Sequence, residues 1–165
     1  IDRDHTPEFT MCEAQIAYED YTFGMDIFEE LVEFLAREVM GSLDIQHGDT
    51  HLSFARPWAR MTMSESLQKV AHIDIHLWHT LQDAHQELKQ HPKLMEDFPL
   101  DQLKTIGDCI AYAFEQLVEK QLIQPTMIYQ YPLEVSPLAK RAQDPRFVER
   151  FDHISLHALR QFTER

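Results

Sequence analysis

The run His5-Thr6-Pro7-Glu8-Phe9-Thr10-Met11-Cys12-Glu13 places a cationisable imidazole, an aromatic ring and a carboxylate in one short stretch. In an extended strand successive side chains alternate between faces, so Phe9, Met11 and Glu13 would share one of them. Such a face has usable chemistry: a ring stacks on a purine, an imidazole meets a phosphate, and a carboxylate holds an amine. The same alternation also describes a buried Phe beside a solvated Glu, which is the commoner arrangement. A second set, His72, His76 and His79 with Asp83, recurs at i, i+4, i+7 and i+11. On one helix these side chains would face one way, with donors that suit zinc or iron. They equally suit the polar flank of an apolar stripe, and no other segment offers the Glu-x-x-His partner of a helical metal site.

Spacing excludes other chemistries. Gly24, Gly41, Gly48 and Gly107 are scattered, whereas a GxGxxG or Walker A loop needs clustered glycines to cradle phosphate. The GxSxG elbow is absent, and no Ser/His/Asp or Cys/His set stands out. Cys12 and Cys109 form no CxxC, and two lone cysteines suit a reducing compartment, where they act as small buried hydrophobes.

The elements that must position these groups are legible in part. The chain has 165 residues, 44% hydrophobic, with 15 Lys+Arg against 28 Asp+Glu and a net charge of −13. That composition fits one domain or a large piece of one, with enough chain to bury a core without staples. An acidic chain repels nucleic-acid backbone and anionic lipid, and no apolar run approaches the length of a membrane span. Phe9 to Tyr21 reads as a strand. Asp26 to Met40 reads as a helix, with the stripe Ile27, Leu31, Phe34, Leu35 and Val39 and a stop at Gly41. His51 to Phe54 reads as a short strand, and Thr62 with Glu65 forms a capping box that opens a helix at Met63. Ile73, Leu77, Leu81, Ala84 and Leu88 predict a helix over 73–91, and Leu103 to Val118 predicts another that ends before Pro125. Thr126 to Tyr131 and Phe147 to Ile154 read as strands, and Leu156 to Phe162 as helix. Long helices between strands distant in sequence give an α+β fold with antiparallel pairing, and residues 1–165 count as one domain.

Four blocks resemble the class II lysyl-tRNA synthetases. They are HTPEFTMCEAQIAYEDY, like the second half of motif 2; LSFARPWARMTM, residues 52–63; LIQPTMIYQYPLEVSPLAK; and RFVERFD, residues 146–152. The resemblance implies part of a class II catalytic domain, from the second half of motif 2 to just before motif 3, built on an antiparallel sheet flanked by helices. It implies an ATP-dependent ligase that joins lysine and ATP-magnesium into lysyl-adenylate, then passes the lysyl group to tRNA(Lys). Positioning and charge neutralisation at the phosphates supply the catalysis in such a reaction. Carried over by position, His5 and Thr6 match the ATP-contacting loop and Phe9 the ring stacked on adenine. Glu13 and Gln15 match the amino-acid pocket, Gln15 standing where the family usually has Tyr. Asp152 matches the first acidic ligand of Mg2+.

Departures from the pattern set further expectations. The Arg-Asn-Glu that opens motif 2 would lie before Ile1, the position of the second acidic ligand holds Leu159, and the glycine-rich motif 3 is not found. The chain therefore reads as a fragment that is inactive alone, of a cytoplasmic, homodimeric parent with no membrane segment. The direct passage from Asp152 to a helix-like Leu156–Phe162 suggests a segment missing near 154–157. Two alternatives remain: another class II paralogue, of aspartyl/asparaginyl or protein-lysylating type, and a non-catalytic helical or metal-carrying module built on His72, His76 and His79.

Overall fold

A computed structural model describes residues 8, 10–94 and 102–154 of the chain. His5, Thr6, Phe9, the helix expected over 156–162 and the junction near 154–157 lie outside the described residues. The first helix, α1, spans Tyr21–Leu35 and runs into a π-helical turn, Ala36–Met40, closed by Gly41 in the left-handed region at φ 70°. Its start is set by Asp20, whose carboxylate accepts the Thr22 and Phe23 amide hydrogens and so satisfies donors that a helix N-terminus leaves open. An antiparallel hairpin follows, β1 (Asp44–His47) with β2 (Thr50–Ser53). Next come β3 (Ala59–Thr62) and the short α2 (Met63–Ser66), which the expected Thr62/Glu65 capping box opens. Helix α3 (Leu81–Gln90), helix α4 (Ile106–Leu117) and strands β4 (Thr126–Pro132) and β5 (Phe147–Ile154) complete the order. No helix among the described residues is long and apolar enough to cross a membrane.

The strands form a second sheet of order β3-β4-β5, in which β3 pairs parallel and β5 antiparallel with β4. The described sheet is therefore mixed, where an antiparallel one was expected. The reason is the connection: the route from β3 to β4 passes through α2, α3 and α4, and a long helical crossover returns the chain in its original direction. Alternation then assigns the two faces of β4. Met127 packs with Met25, Leu52 and Trp58 in a core beneath α1, and Ile128 packs with Leu67, Ala113 and Phe114 in a larger core beneath α2 and α4.

Three expectations are corrected here. Residues 10–20 form no strand: they are exposed and irregular, and Tyr18 adopts φ 64°. Backbone donors and acceptors need a ladder partner, and β4, the expected partner, already has both edges occupied. Helix 73–91 is only α3. Asp74 caps a 3-10 turn at Ile75–Leu77 through the His76 amide, and a Thr80/Asp83 capping box restarts the chain as helix at Leu81, so two local caps interrupt one apolar stripe. In α1 the predicted stripe faces outward, with Leu31, Phe34 and Val39 exposed at 48%, 57% and 77%. The helix instead buries Met25, Glu29 and Ala36, with Phe28 and Val32 partly buried beside them, because tertiary packing outranks the larger apolar stripe.

Candidate functional site

On the sheet face opposite α1, four side chains converge at the end of β5. Arg150 and Asp152 lie two apart on one strand and so share a face, and the Arg150 Nη2 donates to Asp152 Oδ2 at 2.7 Å. Its Nη1 donates to Ser136 Oγ at 2.7 Å, and its guanidinium carbon stands 4.7 Å over the Tyr131 ring. Tyr131 reaches this group through a bulge. The β4–β5 register shifts between Tyr129 and Tyr131, where the step from Tyr129 to Tyr131 on β4 opposes the longer step from Phe151 to Val148 on β5, and Gln130 sits at φ 58°. The bulge on β5 and the left-handed Gln130 together turn Tyr131 toward Val148, Arg150 and Asp152. Tyr131 hydrogen-bonds Asp152, and burial, followed by the Asp152 charge, pushes its hydroxyl pKa well above the ordinary range. It stays a neutral donor at any working pH.

Of the remaining expected site residues, the two that the structure describes are not brought here. Glu13 and Gln15 are exposed in the irregular 10–20 segment, and neither contributes a contact to the Asp152 cluster. His76 is instead held between Ser64 Oγ, 3.1 Å from Nε2, and Arg146 Nη2, 3.3 Å from Nδ1. Arginine only donates, so Nδ1 accepts and Nε2 carries the proton toward Ser64, which leaves Ser64 unactivated as a nucleophile. His72 ends a π-helical turn in the left-handed region, and Asp83 is spent on the amide hydrogens of His79 and Thr80. The histidines thus do not share a helix face, and no group of three His, Cys, Asp or Glu that could hold a metal occurs among the described residues. Cys109 is buried, and burial pushes its thiol up to about 12, which makes it inert.

Magnesium takes near-octahedral oxygen donors, usually one or two carboxylates together with substrate phosphates. Asp152 alone is offered by the cluster, and its Oδ2 is already committed to Arg150. The described residues as arranged do not form a divalent cation site. What they do form is an oriented guanidinium on a neutral aromatic platform, suited to an anion. Sequence reasoning singled out Asp152 but not Arg150, Tyr131 or Ser136. The i, i+2 pairing of Arg150 with Asp152 was a readable signal for the first, whereas the bulge that recruits Tyr131 leaves no periodicity to read.

The pattern of the tRNA synthetases class II (D, K and N) matches residues 1–157 of this sequence. The chain belongs to that family. Among class II synthetases it is 39% identical over 149 residues to the lysine–tRNA ligase of Bacillus subtilis, covering 90% of this chain and 29% of that protein. It is 40% identical over 153 residues to lysine–tRNA ligase 2 of Methanosarcina mazei, with 92% and 29% covered. Against the lysine–tRNA ligase of Clostridium tetani it is 38% identical over 158 residues, with 92% and 30% covered. The chain spans less than a third of the length of these relatives. Asp152 and the Arg150 cluster therefore sit inside the stretch that matches the class II synthetase family.

Proposed function

We propose that this chain is part of the catalytic domain of a lysine–tRNA ligase. The observation that carries the reading is identity of 38% to 40% with lysine–tRNA ligases over about nine-tenths of the chain. In this reading a lysine carboxylate oxygen attacks the α-phosphorus of ATP, an acyl–phosphate bond forms, and the α–β bond breaks to release pyrophosphate. A terminal ribose hydroxyl of tRNA(Lys) then attacks the acyl carbon and displaces AMP. The residues carried over by resemblance divide the work by chemistry. Phe9 supplies a ring for adenine, while His5 and Thr6 supply hydrogen-bonding groups for phosphate. Glu13 sets a negative charge against the lysine ammonium, a discrimination that apolar packing does not achieve; Gln15 lines the same pocket. Magnesium enters as the counter-ion that ATP carries into the site. The parent reads as cytoplasmic and homodimeric.

Residues 10–20 bear on how the parent differs from the isolated chain. A strand is stable only with a partner, and in this reading further polypeptide of the ligase supplies that partner and places Glu13. The test is pyrophosphate exchange into ATP, with the chain alone and with the chain in its genomic flanking sequence. Lysine-dependent exchange is expected from the second and none from the first, since loss of even one transition-state donor costs about 10²- to 10³-fold. Exchange driven by aspartate or asparagine would reassign the substrate, and robust exchange by the isolated chain would overturn the fragment reading.

A further inference from the structure

Arg150 is a half-exposed arginine, 43% accessible, that is nonetheless fixed at three points: Ser136 Oγ, Asp152 Oδ2 and the Tyr131 ring. Fixing an arginine side chain costs rotamer entropy, and an exposed ion pair returns little of that. The two other anchors supply the rest. Ser136 is a buried polar residue at 7% exposure, and Tyr131 is a platform that exists only because Gln130 takes a left-handed conformation inside the central strand. Side-chain anchoring and backbone strain are separate features, and both converge on one guanidinium. Strain retained within an otherwise regular strand is characteristic of sites that re-aim a side chain for use.

A guanidinium has five N–H donors in a planar fork. Two are assigned, to Ser136 and Asp152, and the exposure leaves the others open to a ligand. That fork matches phosphate oxygens better than any other side chain does. We propose that Arg150 is an anion-binding residue that meets the polyphosphate of ATP, and that Asp152 serves in this chain to hold Arg150 rather than to carry a metal ion by itself. The identity of the ligand as ATP rests on the ligase reading; the anion site rests on the geometry alone.

The probe is sodium tripolyphosphate, titrated by calorimetry into the full 165-residue chain in EDTA, with the Arg150 Nε–Hε resonance followed by nitrogen NMR. Saturable binding that moves this resonance is expected. Arg150→Gln weakens it roughly ten- to a hundred-fold, the worth of a charge-assisted hydrogen bond. Arg150→Lys retains part of the affinity, because charge survives without the fork. Asp152→Asn tightens binding several-fold, since a competing negative charge is gone while Ser136 and Tyr131 still hold the arginine. No saturable binding by the unaltered chain, or equal affinity in Arg150→Gln, overturns the proposal. Binding that requires Mg2+ and disappears in Asp152→Asn also overturns it, by placing the metal on Asp152. Lysine-dependent exchange in the longer protein reads the ligase assignment separately: tripolyphosphate binding without exchange upholds Arg150 and removes the ligase, whereas exchange with unaltered ATP affinity in Arg150→Gln removes Arg150.

Discussion

Two arginines on opposite faces of one sheet pair with carboxylates and do different work. Arg60, on β3 beside Met127, reaches across to α1 and binds Glu29 Oε1 at 2.8 Å and also Asp26. The Glu29 side chain is 3% exposed, and its other oxygen accepts the Trp58 amide hydrogen at 3.4 Å. On the far face, Arg150 and Asp152 remain 43% and 41% exposed. A buried pair is strongly coupled to the fold because losing one partner strands the other without water. A half-exposed pair exchanges partners with solvent or ligand at little cost. The first pair therefore clamps a helix to a strand, and the second holds a cation where a substrate can claim it.

The contrast breaks most visibly at Glu29. Glu29→Gln removes the charge opposite Arg60 and should destabilise the chain by about 3 kcal/mol, the cost of opening a buried pair, read as a lower urea midpoint at unchanged slope. A loss below about 1 kcal/mol would place Glu29 among ordinary surface carboxylates. On the other face the backbone matters more than the ion pair. Gln130→Val puts a β-branched residue into the left-handed region and should cost about 1–2 kcal/mol, while Gln130→Gly should be close to neutral, because relieved strain offsets unfolded-chain entropy. Equal effects of the two substitutions would argue against the strained bulge.

Smaller still, Arg150→Gln should change stability by less than about 1 kcal/mol while changing anion affinity, the opposite balance to Glu29. The smallest expected effect is a pH slope at His153, whose ring lies 4.4 Å from the Phe28 ring of α1. Desolvation of the ring where it packs on Phe28 lowers its pKa below 6.5 even though the residue as a whole is exposed, with Asp152 opposing. The unfolded chain then binds more protons than the folded one between the lowered pKa and 6.5, so stability falls as pH drops through that window and is fully present above it. His153→Gln should flatten this part of the stability profile in urea melts taken from pH 7 to pH 5, and an unchanged profile would show that Phe28 does not exclude the protonated ring.

Legibility in the sequence followed the range of the interaction. Thr62 with Glu65 announced its capping box, and the run between Pro125 and Pro132 announced β4 with its end one residue off, because both signals are contained within a few residues. Ile73 to Thr80 misled because the apolar period continued through Asp74 and Thr80, whose side chains cap the backbone locally. Strand β3 has no local signature: Ala59–Thr62 is a run with two polar residues that becomes a strand only beside β4. In the candidate site, Asp152 was found through the resemblance, whereas its partners were not.

Composition, caps and short-range periodicity, together with the family blocks, were enough to set the element types around α4, β4 and β5 and to single out Asp152, since these depend on contacts within a turn or a strand. Only the tertiary structure decided which face of α1 is buried, that β3 joins β4 in parallel, and that Tyr131, Ser136 and Arg150 close around Asp152. Those outcomes turn on a buried Glu29 paired with the partly exposed Arg60, 31 residues apart, and on one left-handed residue in the middle strand. Neither has a local signature, because each is favourable only once distant segments have already met.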